Sequence, residues 1–357
     1  MKSRVYFIRV DNSDTAGIIK AKFHKLIETS RVFDFIRKGE RVAIKMHFGE
    51  EGNTGYVKPE FVRVVSDILS ARGAGHFLSD TNTLYRGQRT NVHDHLELAH
   101  KHGFTREICG CDVIIPDDTK KENVQEVSIN QKFIKTAKIV KLFLESDVIL
   151  DMAHFKGHLM TGFGGALKNI GMGCATIEGK LAQHSDVSPF VSIEKCIACK
   201  ECLKACPQNT IFIKNGKAYI DPAKCIGCAS CIAACGQKAI DVNWEAGGSN
   251  IQEKMIEYAS AVLKDRQDRA VFINFATKIT KECDCLAKDD PRISPDVGIF
   301  VAYDPVSIDK ACMDLVVKAA GKDIFKEVHP SRNGIKQLKY ACELGLGTLD
   351  YDLIEIK

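Results

Sequence analysis

The chain has 357 residues, 45% hydrophobic and 27% charged, which is the balance of a globular protein of about two to three folding units and excludes a disordered or fibrous chain. Fifty lysines and arginines against 46 aspartates and glutamates leave a net charge of +4, spread along the sequence, so no basic face for nucleic acid is expected. No apolar run approaches the roughly 18 residues of a membrane span, and the one after Met1-Lys2-Ser3-Arg4 stops at Asp11, too early for a secretory leader; the expectation is a cytoplasmic protein without a membrane partner.

Strand-like runs fall at Val5–Val10, Val42–Met46, His76–Leu78, Val113–Ile115 and Val148–Met152. Helix-like stretches alternate with them, as in Pro59–Arg72, where Pro59 suits a first helical turn and Phe61, Val64, Val65, Ile68 and Leu69 form one apolar stripe. Past residue 244 the alternation resumes with a helix at Ile251–Leu263, strands at Val271–Phe275 and Val297–Val301, a helix at Ile308–Ala320 and a last strand near Leu353–Ile356. Such alternation predicts an α/β fold with a largely parallel sheet and flanking helices. Residues 1–188 form its first part and 244–357 its second, with 189–243 as a small inserted α+β domain.

Cysteine is the outlier. Fifteen occur, and eight lie between Cys196 and Cys235. A reduced cytosol disfavours a disulfide framework, so the block points to metal. Cys196-x2-Cys199-x2-Cys202-x3-Cys206-Pro207 recurs 29 residues on as Cys225-x2-Cys228-x2-Cys231-x3-Cys235-Gly236, a tandem duplication with the spacing of two-cluster bacterial ferredoxins. Three thiolates of one loop hold three irons of a cube, and the fourth reaches the other cube. Cys196, Cys199, Cys202 and Cys235 are therefore assigned to one 4Fe–4S cluster, and Cys206, Cys225, Cys228 and Cys231 to a second. Short strands at Val191–Ile193, Ile211–Ile213, Ala218–Ile220 and Ile240–Val242 frame the loops, with a turn at Asn215-Gly216. Structural zinc is the competing assignment, and it does not require the four-cysteine run twice.

The predicted strand ends carry polar residues from five separate stretches: Lys45 and His47; Asp80 and Asn82; His154, Lys156 and His158; Cys283-Asp284-Cys285; and Asp304. In open parallel sheets ligands bind outside the carboxyl ends of the strands. Lys45, His47, Asp80, His154, Cys283, Cys285 and Asp304 are accordingly the candidate catalytic set, with an additional transition metal expected near Cys283 and Cys285. Each has a plainer account: capping for Asp80 and Asp304, ordinary loop contacts for the histidines, inert buried thiols for the cysteines. The glycine-rich Thr161–Gly173 stretch, with Gly164, Gly165 and Lys168, is a candidate anion site, although it is neither a Walker loop nor a dinucleotide fingerprint. Cys109, Cys111, Cys312 and Cys342 read as core thiols.

Met46-His47-Phe48-Gly49-Glu50, Asn53-Thr54-Gly55-Tyr56-Val57, Ser79-Asp80-Thr81-Asn82 with Tyr85-Arg86-Gly87, Gly165-Ala166-Leu167-Lys168-Asn169 and Asp304-Pro305-Val306-Ser307-Ile308-Asp309 together resemble the iron–sulfur centre proteins of the domain of unknown function 362 family. The resemblance implies an α/β domain carrying two 4Fe–4S clusters, without a settled reaction. Two functional readings follow. In one, the protein is an oxidoreductase whose clusters relay electrons from a donor protein to a small anionic substrate in the crevice. In the other, it is a non-enzymatic electron-transfer or ligand-binding protein. The roughly 300 residues outside the cysteine block favour chemistry, because a carrier needs only the block.

Overall fold

Three strands of this chain are apolar or small at nearly every position, as expected of strands covered on both faces. The computed structural model describes residues 2–84, 87–184, 189–206, 208–225, 230–241 and 250–357. Cys228, Tyr85, Arg86, Pro207 and Val242, named above, lie outside the described residues, as do 188, 243 and 244 at the expected domain boundaries.

The main sheet comprises β1 (Ser3–Arg9), β2 (Arg41–Met46), β3 (Gly75–Ser79), β4 (Val113–Ile114), β5 (Val148–His154), β6 (Ala270–Ala276), β7 (Gly298–Ala302) and β8 (Tyr351–Glu355). Their order across the sheet is β8-β1-β7-β6-β5-β2-β3-β4. All neighbours pair in parallel except at β7, which runs antiparallel to both β1 and β6. The fold is thus α/β, with a large, mostly parallel sheet flanked by helices.

Alternation along the buried strands divides the core. Val42, Ile44, Val148, Leu150, Val271 and Ile273 pack with Phe23 and Leu26 of α1 (Ala16–Ser30) and Val62 and Leu69 of α2 (Pro59–Ala71). Ala43, Ile149 and Phe272 point the other way, into a second cluster. Ile256 and Ala259 of α5 (Ile251–Leu263) and Ile308 and Val316 of α6 (Pro305–Ala320) fill that side. Lys45, Asp151 and Asn274 continue this second register, so three polar side chains enter the buried face where a short helix, α3 (Ala166–Gly171), crosses it. A further helix, α4 (Ile177–His184), follows α3.

Between β5 and β6 the described residues form three small antiparallel pairs, Lys156–His158 with Gly162–Gly164, Phe190–Val191 with Ile240–Asp241 and Ile211–Lys214 with Lys217–Ile220. Asn215 and Gly216 turn the last of these pairs with positive φ of 50° and 71°, the backbone a two-residue hairpin loop demands. Short helices occupy Glu201–Ala205 and Ser230–Ala234. This segment has its own core, in which Cys196, Cys202, Cys206 and Cys231 sit with Ile211, Ile220 and Ile240, and it includes Leu84 and Leu181 of the α/β part. A hairpin of Val124–Ser128 and Thr136–Val140 was not expected from the sequence; its first strand is partly or fully exposed throughout and carries no strong alternation. Among the described residues no helix is long and apolar enough to cross a membrane.

Candidate functional site

β2, β3 and β5 are adjacent and parallel, so their carboxyl ends open on one side of the sheet. Lys45, at the end of β2, is fully buried. A buried charge survives only with partners, and Lys45 has two: its Nζ lies 3.0 Å from Asp80 Oδ1, just beyond β3, and donates to Asn169 Oδ1 of α3 at 2.9 Å. Asn169 Nδ2 in turn donates to Asp151 Oδ1 at 2.7 Å. Burial would raise the Asp80 carboxyl, but Lys45, His47, His95 and Arg89 together outweigh it and hold the group well below the usual carboxylate range.

Arg89 completes this layer. Its Nε is 3.2 Å from Glu50 Oε2, and its Nη1 is 3.7 Å from Asp80 Oδ2 and 2.7 Å from His47 Nε2. His47 Nδ1 accepts from the Gly49 N–H at 2.9 Å, so donors face both ring nitrogens. Burial and then Arg89 keep His47 far below the ordinary imidazole value, that is, neutral. Lys180 of α4 donates to Thr81 Oγ1 and to the Asn82 carbonyl, and burial lowers its ammonium to about 8. Lys168 forms no ion pair among the described residues. Burial, then the neighbouring Lys156, depress it to about 7, with Lys45 and Arg89 contributing.

The Cys283-Asp284-Cys285 loop covers the same side. Asp284 turns inward: its Oδ2 meets His154 Nδ1 at 2.9 Å and Lys156 Nζ at 2.8 Å, and its carbonyl accepts from Glu50 N at 2.9 Å. Although burial opposes it, the charge on His154 and Lys156 holds Asp284 well below the usual carboxylate range. With Asp284 anchored, both flanking cysteines line a cavity of about 600 Å³, shared with Lys45, His47, Asp80, Arg89, Lys168 and Lys180. Cys283 and Cys285 are joined as a disulfide, Cα atoms 5.3 Å apart. A ring nitrogen of His158 and the two sulfurs lie within 4.8 Å of one another, a donor group that could hold a metal ion. Ile232 and Asp241 of the cysteine-rich segment also line this cavity.

Not every expected residue arrives here. Lys45, His47, Asp80, Cys283, Cys285 and Lys168 do. His154 does not line the cavity: both its ring nitrogens are committed, one to Asp284 and Nε2 to the Thr277 carbonyl at 2.9 Å, and it supports the loop. Asp304 lies at the opposite edge, because β7 is the one reversed strand of the sheet. Its Oδ1 accepts from Val306 N and Ser307 N at 2.8 and 2.9 Å, capping α6, and its Oδ2 accepts from Thr348 N at 3.0 Å. The expected anion loop at Gly164 and Gly165 is filled by the protein's own carboxylate, since Asp309 accepts from the N–H groups of Ala166 and Leu167 at 2.8 and 3.1 Å. A Cβ on Gly165 would stand 2.3 Å from Asp309 Oδ1, which is why glycine is required there. Arg89, Lys180 and Glu50 were not singled out from the sequence. Lys180 and His184, four apart on α4 and both at the cavity, were the readable signal. Cys174, also not singled out, is a fully buried thiol.

In the cysteine-rich segment, Cys196, Cys199, Cys202 and Cys235 line one common void. Backbone N–H groups point at sulfur in three places: Ala218 to Cys196 at 3.4 Å, Thr210 to Cys206 at 3.4 Å and Ala239 to Cys235 at 3.2 Å. Four thiols around one void, with N–H donors on the sulfurs of Cys196 and Cys235, fit a thiolate-ligated centre, and the set includes Cys235 from the second repeat.

The profile of the family described as "Domain of unknown function (DUF362)" matches residues 42–314. Among solved structures, the chain is similar to the lactate racemase apoprotein from Thermoanaerobacterium thermosaccharolyticum, at 15% identity and a TM-score of 0.40 over 77% of this chain and 51% of that one. It is also similar to a structural-genomics protein from Thermotoga maritima, at 13% identity and a TM-score of 0.43 over 91% and 61%. The chain therefore spans about half the length of the first and about three fifths of the second. No curated protein is significantly similar to it.

Proposed function

The chain belongs to the DUF362 family, and we propose that it is an iron–sulfur redox protein, an oxidoreductase that serves a small anionic substrate bound at the ends of β2 and β3. Residues 189–243 are the ferredoxin-like insertion in this reading, between parts 1–188 and 244–357 of the α/β domain. Cys196, Cys199, Cys202 and Cys235 hold one 4Fe–4S cluster, and Cys206, Cys225, Cys228 and Cys231 hold the other. When bound, the clusters supply single electrons at low potential, as all-thiolate ligation favours. A donor protein delivers them.

The observation that carries this reading is the composition of the cavity wall. Lys45, Arg89, Lys168 and Lys180 line it with Glu50, Asp80, Asp241 and Glu282, and so does Ile232, the chain neighbour of Cys231. Lys168, which forms no ion pair among the described residues, is the residue suited to an anionic group of the substrate, while Lys45 and Arg89 are paired with Asp80 and Glu50. A pure carrier has no use for a cavity of this size with a lysine left unpaired in its wall.

Two measurements test the proposal. Anaerobically prepared protein contains about eight irons and eight acid-labile sulfides per chain; zinc at two per chain, without visible charge-transfer absorption, refutes the clusters. Phosphate, sulfate and short carboxylates are then titrated calorimetrically into wild type and Lys168→Met. Binding to wild type that is lost or at least tenfold weaker in the variant supports the substrate class. Equal binding to both, or to neither, removes it.

A further inference from the structure

We propose that Cys283 and Cys285 are a redox-active dithiol–disulfide pair built into the cavity wall, which accepts two electrons and presents them together to the bound ligand. The source of the electrons rests on the iron–sulfur reading above; the couple itself stands on the geometry of the loop.

A Cys-x-Cys segment places two sulfurs side by side only if the intervening residue turns away. Asp284 does so, anchored by His154, Lys156 and the Glu50 N–H. The middle residue thus makes the side-chain contacts of the loop, and a backbone bond from Leu286 N to the Cys283 carbonyl at 3.2 Å closes it. Their sulfurs are bonded, and both cysteines line the cavity. Cys283 is buried and Cys285 partly exposed, so a molecule in the cavity reaches one sulfur more readily. An attacked disulfide of this form has a defined leaving sulfur.

The same donors form a group that could hold a metal ion. Around His158 Nδ1 lie the backbone N–H groups of Met160 and Thr161, each at 3.2 Å, and the Thr161 hydroxyl at 2.9 Å. The metal content measured below separates the two readings.

The step balances simply. The S–S bond breaks, two electrons arrive singly from a reduced iron–sulfur donor, and two protons from water end on the sulfurs. In the return step both sulfurs give up a proton and an electron as the bond re-forms, and the two electrons and two protons pass to a reducible anionic ligand in the cavity. A pair of cysteines thereby converts one-electron supply into two-electron delivery.

The test uses the full chain, prepared anaerobically with its metal content measured. Oxidised and fully reduced protein are each alkylated with iodoacetamide and the peptide bearing Cys283 and Cys285 is weighed. Reductive titration counts electrons for wild type and for Cys283→Ser/Cys285→Ser. The expected result is a peptide unlabelled when oxidised and doubly labelled when reduced, with the variant taking about two electrons fewer while keeping about eight irons. Labelling of both cysteines before reduction, an electron count unchanged in the variant, or a metal ion beyond the eight irons that the variant loses would each overturn the proposal. Protein without iron refutes the cluster reading alone, and labelling before and after dithiothreitol then decides the pair by itself.

Discussion

Replacing Lys45 with methionine removes one charge from a pair whose side chains are 1% and 4% exposed and 3.0 Å apart. At an effective dielectric of about 20, charges at that distance attract by about 5 kcal/mol, and breaking one side of a buried pair costs roughly 3–5 kcal/mol because the other charge stays behind. Here the loss falls at the low end: Asp80 keeps Arg89, 3.7 Å from Oδ2, and methionine conserves the volume of the lysine stem. The expected cost is about 3 kcal/mol, which at about 1.3 °C per kcal/mol for a chain of this length lowers Tm by about 4 °C. Adding Asp80→Asn to Lys45→Met removes the stranded carboxylate, so the double variant is less destabilised than the sum of the singles by about 1–3 kcal/mol. Urea unfolding of the four proteins, followed by circular dichroism, measures both numbers. A Lys45→Met protein as stable as wild type, or strictly additive single effects, would refute the account of this pair as mutually dependent.

Other outcomes follow from neighbouring residues. Lys168 is charged below about 7 and neutral above it, so affinity for phosphate falls as pH rises through 7 and Lys168→Met abolishes that step; calorimetry between pH 6 and 8 reads it. For stability the sign is opposite: the unfolded chain binds a proton that the folded ligand-free chain lacks between about 7 and about 10.4, so this lysine makes the protein more stable as pH rises across that window, and the slope is absent in Lys168→Met. Gly165→Ala drives a methyl into Asp309 and Phe155, whose ring carbon lies 2.8 Å from the added Cβ, and destabilises by about 1–3 kcal/mol in denaturant titration. Asp304→Ala costs about 1–2 kcal/mol through the lost cap of α6 and leaves anion binding unchanged.

The central strands β2, β5, β6 and β7 and the helix α5 were legible because burial on both faces writes itself as nearly unbroken apolar runs, and Ile251–Leu263 has the bounds that the pattern implied. Strand direction was not legible. Nothing in Gly-Ile-Phe-Val-Ala at β7 distinguishes an antiparallel strand from a parallel one, and that single reversal carries Asp304 to the far edge. The anion loop misled for a related reason: glycines that admit a ligand and glycines that admit Asp309, 143 residues from Ala166 in the chain, look alike until the chain is folded. His154 was expected beside a ligand and instead braces Asp284, because the strand-end argument fixes where a residue emerges but not which side chain it meets first.

What distinguishes this cavity is how unevenly its cations are neutralised. Lys45 and Arg89 touch Asp80 and Glu50, contacts that fix their positions as buried charges must be fixed. Lys180 has hydroxyl and carbonyl acceptors but no carboxylate within ion-pair distance among the described residues, and Lys168 forms no ion pair there at all. The last two are the lysines whose ammonium groups are pushed down, to about 8 and about 7. A fold selected for stability alone would have supplied them with carboxylates or moved them to solvent. Leaving them underneutralised stores unfavourable electrostatic energy that a bound anion releases, and that release adds directly to its affinity. On the proposed iron–sulfur reading the same two lysines assist reduction, because negative charge added to a ligand beside them is stabilised.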